Sequence, residues 1–257
     1  MFSMLMVVSL SVLAMLSAWA WQQKHANAGI VDVAWAFGMM CAGSWYAFTG
    51  SAPPYLKMSL AMLTGAWFLR LGFYLATRVF NAPEDSRYLA MRKAMNNHAS
   101  LGFLVFFLLQ AGFITILSLP FFAVAQNTNP NLVSVIAALT LAALALWGET
   151  TADSQLANFK RNPQNRGKSC REGWWRYSRH PNYFFEWLHW FAYPLMGWGG
   201  TYQNWLWLAP AFMFLFLYFL TGIPFSEQQA LRNRGEDYRR YQQVTPVFFP
   251  WRPKAES

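Results

Sequence analysis

Residues 101–125, LGFLVFFLLQAGFITILSLPFFAVA, contain no charged side chain. An α-helix needs about 20 mostly apolar residues to cross the hydrocarbon core of a bilayer, so this stretch predicts a membrane-spanning helix. Only 12% of the 257 residues are charged and 55% are hydrophobic, whereas a soluble domain carries about 25% charged residues. The composition therefore excludes a soluble enzyme, a secreted disulfide-rich scaffold and a disordered chain.

Apolar stretches of similar length recur along the chain and predict seven membrane-spanning helices. The predicted spans are 2–21, 28–49, 56–80, 101–125, 131–152, 182–200 and 203–223. We expect an all-α fold in a single integral membrane domain over residues 1–257, with a polar loop at 153–181 and a polar tail at 224–257.

The basic residues orient this topology. They cluster in alternate connections, around Lys24, Arg87, the loop 153–181 and the tail, and cytoplasmic connections are the ones enriched in Lys and Arg. Seven spans with the N-terminus outside put every cluster, and the C-terminus, in the cytoplasm. We expect a bacterial inner-membrane protein, or an endoplasmic reticulum protein if the source is eukaryotic. A cleaved signal peptide ending near Ala20 is the alternative, but it lacks a positive n-region and would move the basic loops outside.

The net charge of +9 does not indicate nucleic acid, because the cations lie at the ends of apolar spans. A disulfide is not expected, since Cys41 lies inside a span and Cys170 in a loop. The four histidines lack the spacing of a zinc site, so no metal is expected. No protein partner is predicted either, and the expected partners are membrane lipids and a lipid-soluble small molecule.

Ionisable residues inside predicted spans are candidates for a site, because a charge in hydrocarbon is expensive unless it is paired or faces a cavity. Asp32 lies early in the second span. Arg70, Tyr74 and Arg78 follow one another at i, i+4 and i+8 on the third, which forms a polar stripe. Ion pairs that only fix helix packing are the alternative interpretation.

The loop 153–181 and the helix after it contain the densest polar pattern in the chain. Arg and Lys bind phosphate by charge and, for Arg, by a bidentate fork. Pro181 favours a helix start, which leaves backbone N–H groups available to an anion. The alternative is a loop that only sets topology and contacts lipid headgroups.

Three groups of residues carry a resemblance to a known family. The motifs are Glu149-x3-Asp153, Asn165-Arg-Gly-Lys168, Arg179-His-Pro-Asn-Tyr183 and Glu186; upstream Asp32-Val-Ala-Trp35, Trp67-x2-Arg70 and Glu84-Asp-x-Arg87-Tyr88; and downstream Gly222-Ile-Pro, Glu227 and Tyr238-Arg-Arg-Tyr241. Together they resemble the steroid 5α-reductase family, in its bacterial-type branch, over most of the chain from about residue 30.

This resemblance implies a seven-helix enzyme that binds NADPH from the cytosol and reduces the 4,5 double bond of 3-oxo-4-ene steroids. The implied cofactor-binding residues are Asp153, Lys160, Arg161, Asn165, Tyr177, Arg179, His180, Asn182, Tyr183 and Glu186, with Arg87, Tyr88 and Tyr238. Arg70 and Tyr74 match a catalytic Arg-x3-Tyr pair. The chain departs from the family at Trp67, which stands where the animal enzymes have a catalytic Tyr.

The reaction needs a proton donor at the substrate carbonyl, because hydride transfer to C5 builds negative charge on that oxygen. A protonated Asp32 is a reasonable donor, and Tyr74 and Tyr46 are alternatives. Trp35, Tyr46 and Trp67 are the expected substrate contacts.

Two other functions compete with the reductase. A methyltransferase that uses S-adenosylmethionine shares the His-Pro-x-Tyr element, although a donor without phosphates has less need of a basic loop. A non-enzymatic transporter or lipid-binding protein would favour inverted repeats, which the sequence does not display.

Overall fold

A computed structural model describes residues 2–254, and every regular element in that range is a helix. The α-helices are α1 Phe2–His25, α2 Ile30–Thr49, α3 Pro54–Asn81, α4 Ser86–Met95, α5 Ala99–Leu117, α6 Leu119–Ala125, α7 Leu132–Arg161, α8 Pro181–His189, α9 Ala192–Met196, α10 Gln203–Leu206, α11 Leu208–Leu215, α12 Ile223–Arg234 and α13 Glu236–Val244. Short 3₁₀ turns lie at Asn96–His98, Pro163–Asn165 and Gly173–Arg176, and a π-helical turn lies at Phe216–Leu220.

Within the described residues, five helical stretches are long and apolar enough to cross a membrane. They are Phe2–His25, Pro54–Asn81, Ser86–Ala125, Leu132–Arg161 and Gln203–Arg234. The chain is therefore an all-helical membrane protein, as its composition predicts. The predicted second span forms the 20-residue helix α2, which is not one of these five. The count of seven spans and the orientation of the termini stay predictions.

Several predicted boundaries differ from the structure. The predicted sixth span is not one helix: α8 ends at His189 and α9 begins at Ala192. Pro194 explains the break, because it cannot donate a backbone hydrogen bond and its ring clashes with the carbonyl four residues earlier, that of Trp190. The fourth span is interrupted at Ser118, two residues before Pro120, for the same reason.

The predicted loop 153–181 also begins later than expected. Its first nine residues, 153–161, continue α7 as helix. Gln155, Leu156, Ala157 and Lys160 are good helix formers, so leaving an apolar segment does not end the helix. It ends just before Asn162-Pro163, where the residue preceding a proline disfavours helical geometry.

The chain packs as two compact units. The first comprises residues 2–131 with 197–203, and the second comprises 132–196 with 204–254. The single domain stays a prediction.

In the first unit, α2 packs along α3, and α1 packs against α2 and α5. A close approach at Gly43 sets the α2–α3 distance, because a Cβ there would lie 2.5 Å from Thr64 Oγ1. Met15, Phe68 and Phe107, from three different helices, are completely buried in this core.

In the second unit, α7 packs against α8 and α9, and α12 packs against α13. A Cβ at Gly148 would lie 2.3 Å from Phe185 Cε1, so α8 lies directly against the α7 backbone at that point. Ala230, Tyr238 and Tyr241 form the buried contact of α12 with α13.

Candidate functional site

The connection from α3 to α4 carries an ion-pair cluster centred on Asp85. Its carboxylate caps α4 by accepting from the Arg87 amide at 2.9 Å and from Arg87 Nε at 3.2 Å. Arg78 Nη2 donates to the other oxygen at 3.2 Å. Burial alone would raise the pKa of Asp85, but the Arg87 amide and the two guanidinium groups outweigh it and hold that pKa below its ordinary value.

This cluster brings Asp32 of α2 together with the start of α4. The Tyr88 hydroxyl donates to Asp32 Oδ1 at 2.7 Å, and Arg87 Nη2 lies 3.6 Å from Asp32 Oδ2. The Arg87 guanidinium also lies over the Tyr88 ring, 5.4 Å from its centroid. Three residues that the sequence proposed separately, one as catalytic and two as cofactor contacts, therefore touch one another.

These residues line a small, partly open cleft in the first unit, which we call the α2–α4 cleft. Its polar lining residues are Asn27, Asp32, Arg78, Asp85, Arg87 and Tyr88. The Asp32 side chain is 33% exposed, whereas Tyr88 as a whole is 4% exposed. The carboxyl therefore faces the cleft, and the tyrosine lies behind it.

A second ion pair, next to Asp85 in the chain, links the α3–α4 connection to α4 and to the residues before α2. Arg92 donates to both oxygens of Glu84, at 2.7 and 3.1 Å, and the Glu84 side chain is only 4% exposed. Glu84 Oε1 also accepts from the Ala28 amide at 2.7 Å, just before α2. Arg92 was not among the predicted site residues, because its partner Glu84 can be identified only once α4 has folded back toward the start of α2.

The other predicted catalytic and substrate residues of the first unit lie outside the lining of this cleft, among the residues described. Arg70 lies over the Trp67 ring at 5.9 Å, and Trp67 is 1% exposed. Tyr74, on the same helix, is 39% exposed. Arg78 is thus the member of the predicted Arg70–Tyr74–Arg78 stripe that joins the cleft.

Trp35 and Tyr46 are packed against aromatic rings. Trp35 meets Phe68 edge-on at 5.9 Å, and the buried Tyr46 meets Phe122 edge-on at 5.5 Å. Their roles as substrate contacts stay predictions.

In the second unit, a buried polar cluster forms around Glu227 of α12. Glu227 Oε1 accepts from Arg179 Nε at 2.8 Å, His180 Nε2 at 3.0 Å and the Tyr238 hydroxyl at 2.9 Å. Glu227 Oε2 accepts from Arg179 Nη2 at 3.3 Å and from Gln242 Nε2. We call this set the Glu227 cluster.

The cluster engages three residues predicted to bind the cofactor. Arg179 Nη1 also donates to the carbonyls of Gln242 and Thr245, at 3.0 and 2.9 Å, so the guanidinium is bound on several sides within the fold. Its side chain is 12% exposed and that of His180 is 6% exposed. Arg179, His180 and Tyr238 therefore stabilise the second unit through their bonds to Glu227.

Burial determines the protonation of this cluster. It lowers the pKa of the His180 imidazole, although the neighbouring Glu227 carboxylate acts in the opposite direction. A neutral His180 must carry its proton on Nε2, because the carboxylate of Glu227 can only accept. Burial, and then the Glu227 charge, raise the pKa of Tyr238, so its hydroxyl stays protonated.

The C-terminal segment is hydrogen-bonded to the residues just before α8. The Arg179 amide donates to the Pro246 carbonyl at 2.9 Å, and Ser178 Oγ donates to the Phe248 carbonyl at 2.8 Å. The Trp251 amide donates to the Tyr177 carbonyl at 3.0 Å. These three hydrogen bonds, together with the Glu227 cluster, fix the position of the residues that lead into α8.

The connection from α7 to α8 is anchored to α7 as well. Gln155 Oε1 accepts from the Trp174 amide at 2.9 Å, and Trp175 Nε1 donates to the Ala152 carbonyl at 2.8 Å. Gly173 allows this approach: its φ is +54°, and a Cβ there would collide with the Gln155 side chain. The C-terminal half of the connection is thus attached to both α7 and the C-terminal segment.

Most cations at the end of α7 and in this connection are exposed, in contrast to Arg179 and to Arg171, which pairs with Asp237. The exposed residues are Lys160, Arg161, Arg166, Lys168 and Arg176. Helix α8 begins at Pro181, and its N-cap residue His180 makes no side-chain capping hydrogen bond. Exposed guanidinium and ammonium groups, and the backbone N–H groups of a helix N-terminus, are donors that suit the phosphates of a dinucleotide.

The remaining predicted cofactor residues have local partners or are partly accessible. Asn165 Nδ2 donates to the Phe159 carbonyl at 2.9 Å, and Tyr183 and Ser226 hydroxyls lie 2.9 Å apart. Glu186 Oε1 accepts from Trp190 Nε1 at 3.0 Å. Tyr177 is 40% exposed, and Asp153 and Asn182 are half-buried.

No curated protein and no solved structure matches the chain. The model of one family, described as DUF1295, a protein of unknown function, matches residues 18–245. That match takes in the α2–α4 cleft, the exposed cations and the Glu227 cluster, and the chain therefore belongs to the DUF1295 family.

Proposed function

We propose that this protein is a membrane-embedded, NADPH-dependent reductase of the 4,5 double bond of 3-oxo-4-ene steroids. The observation that carries the proposal is the anchored, cationic connection between α7 and α8. Its exposed Lys and Arg side chains and the start of α8 suit the phosphates of NADPH. The alternative is a loop that only contacts lipid headgroups. It does not account for the hydrogen bonds that attach this connection to α7 and to the C-terminal segment.

The residues proposed to hold the cofactor are four exposed cations and two residues on the first turn of α8. Lys160, Arg161, Arg166 and Lys168 supply charge for phosphate binding, and Asn182 and Tyr183 lie on the first turn of α8. Arg179 and His180 are proposed to act indirectly, without contacting the cofactor, because their side chains are bound to Glu227. NADPH, when bound, supplies the hydride that reduces the substrate.

The first unit is proposed to act on the substrate. Asp32 presents its carboxyl to the α2–α4 cleft and exchanges a proton with the carbonyl of an enone. The steroid class comes from the resemblance of the chain to 5α-reductases, and the apolar helices suit a flat, lipid-soluble molecule that enters from the bilayer. We place the enzyme in a bacterial inner membrane, with the cationic connection in the cytoplasm.

The first experiment measures NADPH consumption by the purified full-length protein in detergent, with progesterone as a 3-oxo-4-ene steroid. Oxidation of NADPH coupled to a 5α-dihydro product supports the proposal. Binding of NADPH without turnover of any steroid would support the proposed cofactor and contradict the proposed substrate class. Binding of S-adenosylmethionine instead of NADPH would replace the reductase with a methyltransferase.

A charge-matched pair of variants tests the cofactor site. Lys160→Ala/Arg161→Ala removes two exposed cations at the end of α7, and Arg239→Ala/Arg240→Ala removes two exposed cations of α13. A charged hydrogen bond contributes about 1.5–3 kcal/mol, so losing one phosphate contact weakens NADPH binding roughly 10- to 100-fold. We expect that loss in the α7 variant alone. Equal dissociation constants for NADPH in the two variants would remove α7 from the site.

A further inference from the structure

The contacts of Asp32 differ on its two carboxyl oxygens. Oδ1 accepts from the Tyr88 hydroxyl at 2.7 Å, the usual length of an O–H···O hydrogen bond. Oδ2 lies 3.6 Å from Arg87 Nη2, which is a charge contact beyond hydrogen-bonding distance. The orientation of the carboxyl is therefore fixed through Oδ1, and Oδ2 is the oxygen available for exchange with a ligand in the cleft.

Tyr88 is poorly placed to contact a dinucleotide. The residue is 4% exposed, and its ring packs at a tilt against Phe106 with centroids 6.1 Å apart. A phenol has one proton to donate, and Asp32 already receives it. The resemblance implies a cofactor contact for this residue, but its geometry is that of a group that acts on Asp32.

Arg87 is held in its turn by Asp85. Asp85 Oδ1 accepts from both the Arg87 amide and Arg87 Nε, and Asp85 Oδ2 pairs with Arg78 at 3.2 Å. The guanidinium therefore faces Asp32 in an orientation set by the α4 cap. Arg78, Asp85 and Arg87 are the charged groups that face Asp32 across the cleft.

We propose that Tyr88 and Arg87 are positioning residues for Asp32, and that the buried Tyr88 does not contact the cofactor. Tyr88 fixes Oδ1, Arg87 sets the charge beside Oδ2, and the Asp32 carboxyl exchanges a proton with the carbonyl oxygen of the substrate. The assignment of that substrate rests on the proposed reductase. The positioning of Asp32 by Tyr88 is a separate statement that can be measured without turnover.

The proton balance of the step is as follows. The β-carbon of the enone accepts a hydride, which bound NADPH would supply with loss of two electrons, and the electrons of the double bond move to the carbonyl oxygen. The step starts from a protonated Asp32, whose proton lies on Oδ2 because Oδ1 accepts from Tyr88. This O–H bond breaks and an O–H bond forms at the carbonyl oxygen, which gives an enol and leaves an Asp32 carboxylate beside Arg87. The enol tautomerises to place hydrogen on the α-carbon, and Asp32 regains a proton from water through the open side of the cleft.

The test compares Tyr88→Phe with the matched variant Tyr55→Phe. Both substitutions delete one hydroxyl from a tyrosine of the first unit; that of Tyr55 donates to the Pro130 carbonyl at 3.2 Å, away from the cleft. Infrared difference spectroscopy identifies the Asp32 carboxyl band by its loss in Asp32→Asn. The same full-length proteins are used for NADPH titration and for progesterone reduction.

We expect the Asp32 band to move to higher frequency in Tyr88→Phe and to stay in place in Tyr55→Phe, because the hydrogen bond at Oδ1 is lost only in the first. NADPH affinity stays within twofold of the wild type in both. A positioned proton donor accelerates a reaction by about 10²- to 10⁴-fold. A donor that has lost its orientation retains part of this acceleration. We therefore expect kcat to fall about 10- to 100-fold in Tyr88→Phe with little change in KM.

An unshifted Asp32 band in Tyr88→Phe overturns the inference, and so does a tenfold loss of NADPH affinity, which would return Tyr88 to the cofactor site. The reductase fails in a different way. If the wild type oxidises no NADPH with any 3-oxo-4-ene steroid, the proposed function is wrong, and the carboxyl band still decides whether Tyr88 positions Asp32.

Discussion

Replacing Glu227 by alanine should destabilise the second unit strongly. The substitution removes the carboxylate that accepts from Arg179, His180, Tyr238 and Gln242, and the Arg179 and His180 side chains are only 12% and 6% exposed. Deleting one partner of a buried ion pair costs about 3–5 kcal/mol, because the other charge stays buried. Arg179 keeps its bonds to the carbonyls of Gln242 and Thr245, so the lower end applies.

A loss of about 3 kcal/mol corresponds to a fall in Tm of about 6–12 °C for a chain of this size. The assay is thermal unfolding of the purified protein in detergent, followed by tryptophan fluorescence. Glu236→Ala is the matched control, since Glu236 lies 3.6 Å from Arg239 but is 62% exposed. An exposed pair contributes about 0–1 kcal/mol, so the control should lose at most about 4 °C. Equal losses in the two variants would refute the structural role of the Glu227 cluster.

Two further predictions concern acid sensitivity and helix packing. Burial lowers the pKa of His180 in the folded protein below its ordinary value of 6.5. Below about pH 6.5 the unfolded chain therefore binds a proton that the folded chain does not. The free energy of unfolding is unaffected by this group above about pH 6.5, and it declines as the pH falls toward the lowered pKa. His180→Gln should therefore flatten the dependence of Tm on pH below about 6.5, and an unchanged slope would exclude His180 as its source. Gly43→Ala should lower stability by about 1–3 kcal/mol through its clash with Thr64, whereas Gly112→Ala, whose Cβ meets nothing within 4 Å, should be neutral or stabilising by up to about 1 kcal/mol. Thermal unfolding of the pair checks this, and equal Tm values would contradict the close approach of α2 to α3.

The helices and their membrane character could be predicted because the cause is local. A bilayer offers no hydrogen bonds to the backbone, so a long apolar segment must satisfy its own N–H and C=O groups within a helix. The predicted spans at 2–21 and 56–80 accordingly lie within α1 and α3, and the span at 131–152 lies within α7 except for its first residue. Helix ends were harder to predict, since Pro194 breaks a segment that hydropathy treats as continuous.

The candidate sites could be predicted only as residue types. The cost of an unpaired charge in hydrocarbon singles out Asp32 from the sequence, but its partner Tyr88 lies 56 positions later and belongs to another helix. The polar pattern before α8 likewise singles out Arg179 and His180. Nothing local distinguishes a cation that will be bound inside the fold from one that will stay exposed for a ligand.

The sequence by itself determined that this is an all-helical membrane chain with cationic connections and a carboxyl in an apolar segment, because those properties follow from composition and short-range periodicity. Only the tertiary structure decided which polar groups meet. Asp32 joins Tyr88 and Arg87 because α4 folds back beside the start of α2, and Arg179 joins Glu227 because α12 packs beside the entry to α8. Such pairings depend on contacts between segments distant in the chain, and their energies come from burial that exists only once both segments are in place.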